Sequence, residues 1–142
     1  MKISDLVWDW VTHKEVQEVL RLFEFGKSLE YLGSDIDRQA MIIEGDCPFI
    51  TAWYGWRYTI LEYRERLNNN SIQGYYEPAL LQALEQVSIA FDLLTDEECA
   101  EGDLKILSMS GWCKIRSLVS LPLKIIEWDE IKNYELEIEK ML

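Results

Sequence analysis

A chain of 142 residues, 49% of them apolar, can bury roughly two-thirds of its unfolded surface around one core, so a single domain spanning 1–142 is expected. Fourteen basic residues against twenty-six acidic ones leave a net charge of −12, which repels nucleic-acid phosphate and lipid head groups and favours a basic partner. No apolar run approaches the ~18 residues of a membrane span, and Asp5 and Asp9 interrupt what would otherwise be a signal region; a cytoplasmic protein is expected.

In chain order, Leu6, Val7 and Trp10 stand at helical spacing in a short first helix. Thr12 and Glu15 have the spacing of a capping box, which predicts a second helix from His13 with Val16, Val19, Leu20 and Phe23 buried and Gly26 as its stop. Ser34 then suits the cap of a helix carrying Ile36, Ala40 and Ile43, and Gly45 its end. The strongest periodicity follows. Phe49, Trp53, Trp56, Ile60, Tyr63 and Leu67 recur at spacings of four and three, on one face of a helix roughly 28 Å long. Asp46 and Pro48 fit its start, and Asn68, Asn69 and Asn70 end it.

After a polar loop, Pro78 opens a helix over 78–95 whose Leu80, Leu84, Val87, Phe91 and Leu94 repeat the pattern. The two long helices therefore predict an antiparallel pair, and the fold class is mainly α: a compact helical bundle around a central helix 49–67 paired with helix 78–95. Ser110-Gly111 permits a small β-hairpin within 104–121 as the alternative to further helices, although its register sets Lys105 against Arg116. From Trp128 onward, Ile131, Tyr134, Ile138 and Met141 mark a terminal helix.

The residue types needed for familiar chemistry are scarce. His13 is the only histidine and follows a capping threonine, so no Ser-His-Asp or Cys-His arrangement can be assembled around it. None of the seven glycines falls into a nucleotide-binding spacing. Cys47, Cys99 and Cys113 match neither a disulfide framework nor a zinc site and are expected as reduced, mostly buried thiols. Asp35, Asp37 and Asp46 read as helix caps rather than metal ligands. No catalytic residue, metal or cofactor is assigned.

Charge is strongly segregated along the chain. Between Arg66 and Lys105 there is no basic residue, while Glu77, Glu85, Asp92, Asp96, Glu97, Glu98, Glu101 and Asp103 fall there. The next segment carries Lys105, Lys114, Arg116 and Lys124 without an acid. Either that segment folds back and neutralises the acids, or some of them stay free to steer a basic partner. The densest cluster, Asp96, Glu97, Glu98, Glu101 and Asp103, is the predicted partner surface, with Tyr75 and Tyr76 of the loop before helix 78–95 as contributors. Thr95 and Glu98 also form a capping-box pair, which gives part of the cluster a structural explanation.

An acidic, aromatic-rich, single-domain protein without catalytic residues resembles the immunity proteins of bacterial contact-dependent growth inhibition and related polymorphic toxin systems. The resemblance lies in overall character and assigns no residue a role. It implies a protein that neutralises a cognate basic toxin, often a nuclease domain, by direct binding. Two other readings remain open: a phage or plasmid protein that mimics DNA to inhibit a nuclease or defence complex, and an enzyme with a carboxylate site.

Overall fold

The computed structural model describes the backbone of residues 2–46, 49–99 and 104–142, and their side chains except over 42–54 and at 104. Helices α1 (Ile3–Thr12), α2 (Val16–Gly33), α3 (Ile36–Asp46), α4 (Phe49–Asn68) and α5 (Pro78–Asp92) build the first two-thirds. Then come α6 (Ser110–Leu118), α7 (Ser120–Ile125), α8 (Trp128–Ile131) and α9 (Glu135–Met141), with 3₁₀ turns at Glu97–Cys99, Leu104–Ser108 and Lys132–Tyr134. Among the described residues there is no strand.

The two long helices form as their stripes require. Ile60, Tyr63 and Leu67 of α4 and Leu80, Leu84, Val87 and Phe91 of α5 are buried, and the two helices pack against each other. Trp56 and Leu94 are partly buried against this core, while the side chains of Phe49 and Trp53 lie outside the described residues. The structure adds the position of α2, which packs against α1, α4, α6 and α7. Flanked by four helices, α2 buries a wide surface that includes Val19, Leu22, Phe23, Phe25, Leu29 and Leu32. Leu20, expected in that stripe, is exposed.

Several helix ends differ from their sequence signals. Thr12 and Glu15 do not form the expected capping box; Thr12 Oγ1 donates to the Trp8 carbonyl, 2.9 Å away. Helix α1 instead closes through Lys14 at φ 58°, with Glu15 N–H bonded to the Trp10 carbonyl and Lys14 N–H to that of Val11. That six-to-one and five-to-two pattern satisfies the last carbonyls with a left-handed lysine where glycine is usual. Asn70 at φ 54° does the same for α4, through Ser71 N–H to Arg66 and Asn70 N–H to Leu67. Asp35, not Ser34, caps α3, its Oδ1 accepting from Arg38 N–H at 2.8 Å. Gly26 does not stop α2, which continues to Gly33. A Cβ on Gly26 would stand 2.3 Å from the Trp128 ring, so the glycine serves the close approach of α8.

The last third is helical, and the hairpin alternative is not formed. Trp112, Ile115 and Val119 are buried at helical spacing, and Pro122 stands in the first turn of α7, where its missing amide is tolerated. Arg116 is drawn inward instead of facing Lys105: its guanidinium donates to the carbonyls of Ser34 and Leu107 and to Gln39 Oε1. The terminal helix breaks at Lys132–Tyr134; Ile131 and Ile138 are buried, whereas Tyr134 and Met141 are exposed. Of the cysteines, Cys99 is half-buried and Cys113 is exposed rather than buried; Cys47 lies outside the described residues.

A polar knot ties the loop after α4 to α2. Glu18 on α2 pairs with Arg66, accepts from Gln73 N–H at 3.1 Å, and Arg66 in turn donates to the Ser71 carbonyl. Trp10 adds its indole N–H to the Gln73 carbonyl. Beside this knot the Tyr63 ring stacks on Phe25 at 4.1 Å, and the Tyr63 hydroxyl is buried with no hydrogen-bond partner among the described residues. Burial pushes the Tyr63 and Tyr75 phenols far above their ordinary range. Both raised groups contribute stability that is complete below pH ~10, where unfolded tyrosine titrates, and is lost as pH rises toward the folded values. Alkaline unfolding followed by circular dichroism should therefore move to higher pH in Tyr63→Phe, with no loss of stability at pH 7. An unchanged alkaline midpoint would show that ionisation of Tyr63 does not limit stability.

Candidate functional site

The acids of the charge-segregated stretch divide into those the fold uses and those it leaves outside. Glu77 caps α5, accepting from Ala79 N–H at 3.1 Å, which places Pro78 at the position where no amide is needed. Glu85 and Asp92 lie on the flank of α5 that faces α4, where Arg64 and Arg57 meet them at 3.4 and 2.9 Å. Arg57 also sits over the Phe91 ring, 5.3 Å from its centroid. Neutralisation of these two acids thus comes from α4, earlier in the chain, and not from the basic segment that follows them.

Glu98, expected on the partner surface, is turned inward and only 5% exposed. Its Oε1 accepts from the amide and hydroxyl of Thr95, and Thr95 Oγ1 accepts from Glu98 N–H, completing the reciprocal capping box. The other oxygen accepts from Gly111 N–H at 2.6 Å, in the first turn of α6, and the Glu98 carbonyl accepts the Trp112 indole N–H. One side chain therefore caps a turn and the next helix together. Gly111 has to be glycine for this approach, since a Cβ would stand 2.2 Å from the carboxylate.

Asp96 and Glu97 are exposed and form no ion pair among the described residues. Glu101 and Asp103 lie outside the described residues. The two loop tyrosines separate: Tyr76 is 53% exposed, whereas Tyr75 is 7% exposed and belongs to the core. The structure thus brings Asp96 and Glu97 to the surface at the end of α5 and withdraws Glu98 and Tyr75 from it.

Sequence reasoning passed over two neighbours of that acidic end. Ile89 on α5 and Leu93 at its C-cap are 48% and 66% exposed, standing opposite the buried Leu80, Leu84, Val87 and Phe91. Their displacement from the four-three stripe is the signal that would have found them.

A cleft of about 640 Å³ lies where the end of α2 meets α7 and α8. Arg38, Lys124 and Lys132 share its wall with Glu30, Glu127, Asp129 and Glu130, so it presents no single charge. Glu30 is engaged there, accepting from the Trp128 indole N–H and pairing with Arg38 at 3.4 Å. Among the described residues no group of histidine, cysteine or carboxylate side chains is arranged to hold a metal, and no helix is long and apolar enough to cross a membrane.

Fold and surface define an all-α chain with an acidic, partly apolar face at the end of α5. No family model matches this chain, and neither the curated proteins nor the solved structures contain a match to it.

Proposed function

We propose that the protein is a cytoplasmic binding module that neutralises a cognate basic toxin, in the first place a nuclease domain, by direct protein contact. The observation that carries this reading is the pair Asp96 and Glu97, exposed and without an ion pair among the described residues, where the other described acids of their stretch are used internally. Net charge of −12 extends the attraction beyond the contact itself. The toxin as partner follows from the likeness in character to immunity proteins. A DNA mimic is less well supported, because Arg57 and Arg64 interrupt the row of carboxylates that would imitate phosphates.

Basic toxin nuclease domains titrated with the protein provide the test. The matching domain should lose activity on binding, and raising ionic strength from about 0.05 to 0.5 M should slow association by about tenfold or more while dissociation changes little. Asp96→Lys with Glu97→Lys should weaken binding more than about tenfold at an unchanged thermal midpoint. Salt-independent association would remove electrostatic steering from the account, and unimpaired binding by the double variant would move the interface elsewhere.

A further inference from the structure

We infer that the outward face of the second half of α5 is the apolar centre of a docking surface for a cationic amphipathic helix of the partner protein. This rests on the reading that the acidic end of α5 meets a basic partner, and it names the element that partner presents. Gln82, Gln86, Ile89 and Leu93 follow one another at spacings of four, three and four along the outermost line of α5, all exposed. The outer row of a surface helix is ordinarily polar, and its first half here is. In its second half Ile89 and Leu93, one turn apart, form a ridge instead.

Carboxylates border that ridge: Glu85 and Asp92 along the α4 flank, and Asp96 and Glu97 beyond its C-terminal end. Arg64 and Arg57 offset the first two, so the uncompensated charge concentrates beside Leu93. The complement of an apolar ridge with acids at its edge is an apolar stripe edged by lysine or arginine, which a helix supplies at i and i+4. A second copy of this chain is a poor occupant. A two-fold contact through the ridge would bring Asp92, Asp96 and Glu97 of both copies together, in molecules each carrying −12.

The test uses the full chain and a synthetic helical peptide with leucine on one face and lysine on the other, beside an isomer of identical composition whose residues are scrambled. Anisotropy titration at low salt should show the amphipathic peptide binding about tenfold or more tightly than its isomer. Ile89→Ser with Leu93→Ser, at solvent-exposed positions and without change of charge, should abolish that preference while leaving the thermal midpoint in place. Asp96→Asn with Glu97→Gln should weaken both peptides alike. Equal binding of the two peptides, or a preference that survives the serine variant, removes the docking surface and leaves the basic-partner reading standing. Failure of both peptides to bind removes both. A dimer of the free chain that the serine variant dissolves assigns the ridge to a second copy and overturns the inference.

Discussion

Glu98→Ala is expected to destabilise the protein by about 3–5 kcal/mol, measured by urea unfolding at neutral pH. The carboxylate is buried and accepts from Thr95 N–H, Thr95 Oγ1 and Gly111 N–H. Truncation leaves two backbone donors without their acceptor, Thr95 N–H ahead of the Glu97–Cys99 turn and Gly111 N–H at the start of α6, next to the buried Trp112. Hydrogen bonds to a charged group contribute about 1.5–3 kcal/mol each, and buried orphan donors cost more than the bonds they lost. Glu98→Gln should be intermediate, since its amide nitrogen must confront either Thr95 or Gly111 with a second donor. Asp96→Ala and Glu97→Ala, two residues and one residue earlier in the chain, should each stay within about 0.5 kcal/mol of the parent, as surface substitutions do. Similar losses at all three positions would contradict the inward placement of Glu98.

Trp128→Ala should cost about 3–5 kcal/mol, and its coupling to Gly26 is the sharper observation. The indole lies across the bare backbone of α2 at Gly26, meets Phe23 edge-on with ring centroids 5.8 Å apart, and gives its N–H to Glu30. Gly26→Ala gains about 1 kcal/mol of helix propensity in an unobstructed helix. Here the added methyl would overlap the ring, so a net loss of about 1–3 kcal/mol is expected instead. In the double variant the methyl enters space the ring has left, and the two losses should fall short of their sum by at least about 1 kcal/mol. Strict additivity would mean that α8 does not seat on Gly26.

Much of the bundle was legible because its signals are local. The spacing that buries Ile60, Tyr63 and Leu67 on α4 and Leu80, Leu84, Val87 and Phe91 on α5 needs no knowledge of the partner helix. The same holds for Pro78 at the start of α5 and for the Thr95–Glu98 capping box. Less of the candidate site was legible. Asp96 and Glu97 reached the surface as expected; Glu98 did not, because the first turn of α6 folds onto it.

Composition and spacing alone determined an acidic, helical chain, the two long helices and their buried faces, and the dense run of carboxylates after α5. Each depends on residues within a few turns of one another, where 3.6-residue periodicity and capping chemistry act directly. Tertiary structure decided which carboxylates remain free. Arg57 meets Asp92 across 35 positions of chain and Arg64 meets Glu85 across 21, pairings that exist only once α4 and α5 lie side by side. It also kept Gly26 inside α2, since whether a glycine ends a helix or admits a ring depends on whether another element arrives there, and Trp128 is about a hundred residues away. The ridge of Ile89 and Leu93 is exposed for a related reason. Periodicity shows that these side chains lie off the buried face of α5, but only the positions of α4, α6 and α7 around that helix show that none of them covers the ridge.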